Sequence, residues 1–371
     1  MAVEKEKTMF DVGEAPYKEG IVWHSVFEPE FMICGLLTDP EGEDRFYRVP
    51  KSVAQQCKSA DNMITLYPHT CGGRVRFVTD SEYVAIRCKW KTPMYIAPHM
   101  PLTGTAGFDL YLTEEDGTSH FFKNFGPPFW HGNVDKDHYR SCGTHFADKR
   151  LRDVTINFPL YNGVAELEIG IHEDAVLKKT KGYRLDKPVV FYGSSVTQGG
   201  CASRPGLCYP SVVARALHLD HINLGFSDSA RGDKAMAEYI ASLPISAFVY
   251  DYDHNASTAQ WLKDTHYPFY EIVRKAHPDI PIICLSRPTM GDHDWPGRAE
   301  DAELRRQIIQ ETVSRAKANG DENIYFVSGA NMFGAQYPGD CLVDGTHPND
   351  VGFYFMAQAV IPVLKNALHL D

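Results

Sequence analysis

Three kinds of feature that would place this sequence in other protein classes are missing from it. No window approaches the roughly 18 uncharged apolar residues that a membrane-spanning helix needs. Residues 1–7 are charged and no long apolar run follows them, so we expect no signal peptide. The nine cysteines are odd in number and include no Cys-x-x-Cys pair. That usage is typical of reduced thiols, so we predict a cytoplasmic protein in which Cys201 and Cys208 stay unpaired.

Basic residues are also fewer than acidic ones. The sequence has 37 Lys and Arg against 48 Asp and Glu, a formal net charge of −11. Without a basic stripe to offset this charge, nucleic acid is excluded as a partner, and a neutral or cationic small molecule or oligosaccharide fits better. A homo-oligomer is compatible with this composition, although no interface can be identified from the sequence.

What the chain does contain is enough apolar material for two domains. It has 371 residues, of which 43% are hydrophobic, a length that is comfortable for two separate cores. Between about 20 and 183, apolar and polar residues alternate, as at 74–78, 83–87, 108–112, 154–158 and 165–169. This pattern predicts an N-terminal domain, residues 1–183, built as an antiparallel, jelly-roll-like β-sandwich.

The pattern changes after the basic stretch 178–182, which we take as the domain boundary. From 184 to 371, apolar runs alternate with helical patterns. Predicted strands are 189–192, 222–224, 247–252, 280–285 and 324–327, and predicted helices are 209–217, 233–242, 259–276 with a break at Pro268, 299–319 and a terminal helix after 350. Successive βα units predict a parallel sheet in a three-layer α/β/α domain with right-handed crossovers.

Ser195 follows the first of these strands. The apolar run 189–192 leads into 193–199, with the sequence GSSVTQG, a buried strand that opens into a glycine-rich turn. Chemistry in such folds gathers at the carboxyl ends of the strands, which makes Ser195 a candidate nucleophile. The alternative is an ordinary turn, since Gly and Ser are common turn residues.

Near the other end of the chain, residues 344–350 have the sequence DGTHPND. The Asp-x-x-His spacing can place the Asp344 carboxylate on Nδ1 of His347, which leaves Nε2 free to take a proton from a serine. Pro348 prevents a helix from running back through His347. The stretch also suits a helix N-terminus capped by Asn349 or Asp350, and the two interpretations are compatible.

Together these stretches resemble the SGNH (GDSL-type) hydrolases, in which a Gly-Asp-Ser block stands where residues 193–195 stand here. The subgroup with an N-terminal GxDLY β-domain is the most similar. The matching segments are 193–195, 223–227 (NLGFS), Asn255, 344–347, 107–111 (GFDLY) and 199–206 (GGCASRPG). The resemblance implies a flavodoxin-like α/β/α hydrolase domain behind the β-sandwich, and an esterase without metal or organic cofactor.

Acyl transfer assigns one role to each residue of the candidate triad: Ser195 as nucleophile, His347 as base and Asp344 as the carboxylate that orients the base. The order Ser–Asp–His also suits an α/β-hydrolase. However, the Gly-x-Ser-x-Gly elbow of that fold is missing because Thr197 stands two positions after the serine. The SGNH interpretation is therefore favoured.

The oxyanion hole is the place where this chain departs from the family. The backbone N–H of Ser195 and the side-chain amide of Asn255 are natural donors, although Asn255 alone is also a common turn former. The resemblance places a glycine N–H at the position of Asp228. We expect Asp228 to donate its amide and to turn its carboxylate outward, with Arg231 as a partner. The alternative is that Gly225 supplies the N–H in a shifted register.

Other candidates surround this site. Arg204 contacts substrate or anchors its loop. The segment 291–295 resembles a metal-binding stretch by composition, but its place after the predicted strand 280–285 favours a mobile loop over the cleft, in which Trp295 forms a wall of the acceptor site. The aromatic cluster 127–131 stacks on sugar or packs on the neighbouring domain. Histidines in this region have no recognisable ligand spacing, so we expect no metal site there: His131, His138 and His145.

These observations predict a serine esterase for short-chain esters, with carbohydrate O-acetyl esters as the commonest substrate that the resemblance implies. One alternative is an acyltransferase with the same triad, in which an acceptor hydroxyl replaces water. The other is a non-catalytic carbohydrate-binding protein, in which Asp228 at the usual glycine position has abolished catalysis.

Overall fold

The computed structural model describes residues 20–91, 94–127, 140–288, 297–334 and 338–371. Within these ranges an N-terminal domain of antiparallel sheets precedes a C-terminal domain with a parallel sheet, which confirms the predicted fold class. No helix of the described part of the chain is long and apolar enough to cross a membrane. The segment 291–295 with Trp295, residues 128–131 of the aromatic cluster, and His138 lie outside the described residues.

Two antiparallel sheets pack face to face in the N-terminal domain. Its elements are β1 (Ile21–Ser25), β2 (Met32–Cys34), β3 (Leu37–Thr38), β4 (Phe46–Tyr47), α1 (Lys51–Ala54), α2 (Ala60–Leu66), β5 (Arg74–Thr79), β6 (Tyr83–Trp90), α3 (Leu102–Thr105), β7 (Phe108–Thr113), β8 (Ser119–Phe125), β9 (Arg140–His145), β10 (Arg152–Asn157), β11 (Val164–His172) and β12 (Leu177–Lys178). One sheet has the order β1-β11-β6-β9 and the other β12-β5-β10-β7-β8, with β2 paired to β5. Alternate residues such as Val75, Phe77, Val154 and Ile156 are fully buried between the sheets. The short helices α1 to α3 were not predicted.

The C-terminal domain alternates strands and helices. Its elements are β13 (Val189–Gly193), α4 (Ser195–Gln198), α5 (Tyr209–Ala216), β14 (His221–Gly225), α6 (Lys234–Ser242), β15 (Ala247–Asp251), α7 (Ala259–Ala276), β16 (Ile282–Leu285), α8 (Arg298–Ala318), β17 (Ile324–Val327) and α9 (Asp350–Ala367). The parallel strands run in the order β14-β13-β15-β16-β17, the flavodoxin-like order. Successive residues of β13 face opposite helical layers, since Val190 and Tyr192 join one core and Val189 and Phe191 the other.

The predicted break at Pro268 is wrong. Helix α7 is continuous through Pro268, although proline removes one backbone hydrogen bond from the helix interior. Leu262, Phe269 and Val273, on both sides of the proline, are buried in the same core. Tertiary packing of this apolar face outweighs the local cost of the proline.

The strand order determines where a site can form. The chain leaves β13 toward β14 on one side, whereas β15 lies on its other side, so the connections after β13 and β15 diverge. This divergence creates a crevice at the carboxyl ends of the two strands. Ser195 follows β13 and Asn255 follows β15, which brings both residues to this crevice.

Candidate active site

Ser195 lies in the serine turn, residues 193–199, where the backbone has no spare room. A Cβ atom on Gly193 would overlap the Asp251 carboxylate and the Thr197 hydroxyl, so only glycine fits there. The Ser194 hydroxyl accepts a hydrogen bond from Val196 N at 3.1 Å and caps the short helix α4. Gly199 then ends the turn at φ 102°, a conformation that favours glycine.

The serine turn is also tied to the strands beside it. Thr197 donates its hydroxyl hydrogen bond to Asp251, which also accepts one from Tyr209 Oη at 3.0 Å. Burial raises the pKa of Asp251 well above its ordinary value, and these hydrogen bonds offset only part of that shift. Asn223, at the middle of β14, donates through Nδ2 to Thr197 O at 2.7 Å. The position of Ser195 is therefore determined by packing and by buried hydrogen bonds.

The histidine loop, residues 344–349, is held by its own hydrogen bonds. Asp344 Oδ1 accepts from the backbone N–H of Thr346 at 3.0 Å and of His347 at 2.8 Å. Partial burial raises the pKa of Asp344, but the backbone and side-chain hydrogen bonds from His347 outweigh it and bring the pKa to about 2. Asn349 caps α9 through Val351 N and Gly352 N, so the loop is at once a helix start and the carrier of a histidine.

The structure brings these two segments together. His347 Nδ1 lies 2.7 Å from Asp344 Oδ2, and His347 Nε2 lies 2.9 Å from Ser195 Oγ. Because Asp344 is ionised, Nδ1–H donates to it, and Nε2 is left as an acceptor for the serine hydroxyl. Ser195 is 8% exposed, so the hydroxyl is nearly buried yet reachable. This arrangement can remove the proton from Ser195 as its oxygen attacks an electrophile.

Asp228 has a left-handed backbone, with φ 52°, which explains why a glycine suits this position. Its side chain is 76% exposed and pairs with Arg231 Nη2 at 3.4 Å, so the carboxylate points outward. The amides on either side are bonded within the protein, Ser227 N to Gln198 Oε1 and Ser229 N to Phe226 O.

Asn255 follows β15 and is half-buried. Its Nδ2 donates to Phe226 O at 3.0 Å, in the turn that carries Asp228. An amide nitrogen carries two hydrogens, so one N–H remains for a ligand. The structure thus places Asn255 and the Asp228 turn in direct contact.

Arg204 is engaged by the N-terminal domain. Its Nη1 lies 3.0 Å from Asp109 Oδ2 and also donates to the hydroxyl of Tyr111. Asp109, which is fully buried, also accepts from Gly206 N at 2.9 Å and from Asn157 Nδ2 at 2.7 Å. Burial raises the pKa of Asp109, and Arg204 is the largest influence opposing that rise. Residues 107–111 therefore fasten the loop after the serine turn, and these contacts favour the anchoring interpretation of Arg204.

Sequence reasoning missed two residues beside the triad candidates. His99 Nε2 lies 4.0 Å from Asp344 Oδ2, and its ring centroid lies 5.5 Å from that of His347. Tyr161 donates its hydroxyl hydrogen bond to Ser195 O at 3.2 Å. Both residues lie in loops of the N-terminal domain, and no local pattern in the sequence indicates that they reach the site. Among the described residues, His99, Cys201 and His347 form the group that could hold a metal ion.

Comparison with protein families matches the two halves of the chain separately. Residues 186–365 match the GDSL-like Lipase/Acylhydrolase family, and residues 21–177 match the profile described as N-terminus of Esterase_SGNH_hydro-type. A search of curated protein sequences gives no match.

Solved structures are similar over nearly the full length. A protein from Bacteroides ovatus, described as a GDSL-like lipase, is 27% identical with a TM-score of 0.80 over 95% of this chain and 99% of its own. The salicylyl-acyltransferase SsfX3 of a tetracycline biosynthetic pathway is 20% identical, with a TM-score of 0.74 over 93% and 96%. An acetyl xylan esterase from the rumen bacterium Butyrivibrio proteoclasticus is 12% identical, with a TM-score of 0.62 over 94% and 99%. At these identities the last two are evidence for the fold alone.

Proposed function

Because the chain belongs to the GDSL-like lipase/acylhydrolase family, with the N-terminus of the SGNH-type esterases before the catalytic domain, we propose that it is a serine esterase that removes short acyl groups, acetyl above all, from a carbohydrate. This proposal rests on two hydrogen bonds that connect the three side chains. One joins Ser195 Oγ to His347 Nε2, and the other joins His347 Nδ1 to Asp344. Together they form the arrangement that nucleophilic acyl transfer requires.

In the proposed mechanism Ser195 attacks the ester carbonyl while His347 Nε2 takes the hydroxyl proton. Asp344 stays ionised and stabilises the imidazolium. His347 then gives the proton to the leaving alcohol, which leaves an acyl-enzyme at Ser195. Water, deprotonated by His347, hydrolyses this intermediate and releases the acid.

Three donors are proposed to hold the oxyanion: the amides of Ser195 and Asp228 and the free N–H of Asn255 Nδ2. The outward carboxylate of Asp228, paired with Arg231, keeps its negative charge away from the developing oxyanion. This orientation weakens the argument that Asp228 turns the protein into a non-catalytic carbohydrate binder.

The carbohydrate part of the proposal is supported by the acetyl xylan esterase among the neighbours and by the net charge of −11, which suits a neutral substrate. An acyltransferase is the second candidate, favoured by the fold similarity to SsfX3. Product analysis separates the two functions, because an acyltransferase forms a new ester when an acceptor hydroxyl is supplied. A cytoplasmic location and a homo-oligomer stay predictions from the sequence.

Substitution of the nucleophile is the direct test. Ser195→Ala should lower kcat on an aryl acetate by at least about 10³-fold while the midpoint of thermal unfolding stays close to the wild-type value. Ser194→Ala is the matched control, because its hydroxyl only caps α4, and it should retain activity within about tenfold. A Ser195→Ala protein with near wild-type turnover would refute the mechanism. Loss of acetyl groups from acetylated oligosaccharides, followed by mass spectrometry, then tests the substrate class.

A further inference from the structure

Three potential metal ligands meet beside the serine–histidine contact. His99 precedes α3 in the N-terminal domain, Cys201 follows the serine turn, and His347 lies in the histidine loop. Their ligand atoms all lie within 4.8 Å of one another. A tetrahedral zinc ion, with bonds of about 2.0–2.1 Å to nitrogen and about 2.3 Å to sulfur, separates such ligand atoms by roughly 3.4–3.6 Å. Side-chain movements of about 1 Å therefore close the site around an ion.

We propose that His99, Cys201 and His347 form a binding site for a thiophilic divalent cation, with Zn²⁺ as the best fit, and that the bound ion inhibits the enzyme by occupying His347 Nε2. Two imidazoles and one thiolate are ligands that zinc prefers, and three protein ligands leave a fourth position open to solvent. The inhibition rests on the proposed function, whereas the binding does not.

His347 is already oriented as a metal ligand. Histidines that bind metals usually donate the other ring N–H to a carboxylate, a backbone carbonyl or a water, which fixes the ring and raises its basicity. The hydrogen bond from His347 Nδ1 to Asp344 Oδ2, at 2.7 Å, has this geometry. Asp344 also lies 4.0 Å from His99 Nε2, so its negative charge offsets the charge of an ion held between the two rings.

Cys201 supplies an independent observation. Its backbone is left-handed, with φ 72°, a conformation that favours glycine over a residue with a Cβ. Strained backbone of this kind is found at functional sites, and here the strained residue carries the thiol of the proposed site. In the free protein the thiol donates its S–H to His99 O at 3.4 Å, so the sulfur already lies against the residue that supplies the neighbouring ligand.

Ion binding would replace that proton. The S–H bond of Cys201 breaks, its electron pair forms the sulfur–metal bond, and the proton leaves to solvent. No oxidant or further reactant is needed. Since the same Nε2 cannot hold an ion and accept the proton of Ser195, ion binding and turnover exclude each other.

The ligand set also joins the two domains. His99 belongs to the N-terminal domain, and the other two ligands belong to the C-terminal domain. An ion that binds only the folded protein stabilises it according to its concentration relative to Kd. Bound metal is therefore expected to raise the midpoint of thermal unfolding, an effect that does not depend on esterase activity.

Cobalt substitution tests the binding without any substrate. Chelator-treated wild-type and Ser195→Ala proteins, titrated with Co²⁺, should both develop a thiolate-to-cobalt charge-transfer band that Zn²⁺ removes. Cys201→Ser and His99→Ala should lose the band, or need at least about tenfold more Co²⁺. The matched controls Cys57→Ser and His120→Ala, both away from the site, should keep it. A wild-type protein without the band, or a band equally strong in Cys201→Ser, would overturn the site.

Zn²⁺ titration of ester hydrolysis then tests the inhibition. Wild-type activity should fall with added Zn²⁺ and return with EDTA. In His99→Ala, measured against its own metal-free rate, the half-inhibitory concentration should rise at least about tenfold. Cobalt binding without inhibition by Zn²⁺ would overturn the proposed inhibition. If the metal-free wild-type protein hydrolyses no ester, the proposed function fails, and the cobalt band alone decides whether the metal site exists.

Discussion

The serine turn and the histidine loop meet at one hydrogen bond but are held in place by opposite means. In the turn, Ser194 and Thr197 are fully buried, and Gly193 is pressed against neighbouring side chains. In the loop, Asp344 remains 32% exposed, and its hydrogen bonds come from residues two and three positions further along the chain. Packing and buried hydrogen bonds to distant residues therefore position the candidate nucleophile, whereas hydrogen bonds between neighbours in the chain position the candidate base. Substitutions in the two segments should accordingly separate stability from activity.

The largest loss of activity, with only a small loss of stability, is expected for Asp344→Asn. The amide cannot accept the Nδ1–H of His347 as the carboxylate does, so the imidazole is held in the wrong tautomer. We expect kcat at pH 7 to fall about 10⁴-fold, while the free energy of unfolding falls by no more than about 1–2 kcal/mol because the carboxylate is partly exposed to solvent.

Steady-state kinetics and urea unfolding of the same preparation measure both effects. Asp340→Asn, a nearby exposed carboxylate outside the triad candidates, is the control and should match the wild type. A large fall in stability for Asp344→Asn would contradict the idea that the loop is held only locally.

Gly193→Ala should behave in the opposite way. The added methyl group overlaps Asp251 and Thr197, so overpacking should lower the free energy of unfolding by about 1–3 kcal/mol. The displaced serine should also lower kcat/KM about 10²-fold. Gly339→Ala is the matched control because a Cβ there meets open space, and it should change stability by less than about 0.5 kcal/mol. A stable but inactive Gly193→Ala protein would mean that the serine turn shifts to accommodate the methyl group without any loss in the free energy of unfolding.

A smaller effect is expected in the pH dependence of stability. The pKa of Asp344 is lowered from 3.8 to about 2 in the folded protein, so the folded state favours the charged form. Its contribution is fully present above about pH 5 and is lost progressively as the pH falls through 4 and below 2. The difference in unfolding free energy between wild type and Asp344→Asn should therefore stay constant above about pH 5 and narrow below it. A difference that shrinks already near neutral pH would contradict this assignment.

What the sequence predicts well is what local patterns determine. The apolar runs of the parallel strands identify the α/β domain, and the spacing of Asp344 and His347 predicts the hydrogen bond between them. The continuous helix α7 was mispredicted at Pro268 because the packing that outweighs the proline comes from distant residues. The contacts of Arg204 with Asp109, 95 positions away, and of His99 with the histidine loop lie equally outside any local pattern.

The smallest effect is expected for Asp228→Gly, which restores the residue that the resemblance places there. Glycine relieves the left-handed strain at φ 52° but makes the unfolded chain more flexible. These terms oppose each other, so the free energy of unfolding should change by less than about 1 kcal/mol. Because the exposed carboxylate points away from the serine turn, kcat/KM should stay within about threefold of the wild-type value. Asp228→Val, β-branched and unsuited to positive φ, should instead destabilise the protein by more than about 1 kcal/mol. A tenfold loss of kcat/KM in the glycine variant at unchanged stability would show that turnover needs the carboxylate of Asp228 and not only its backbone N–H.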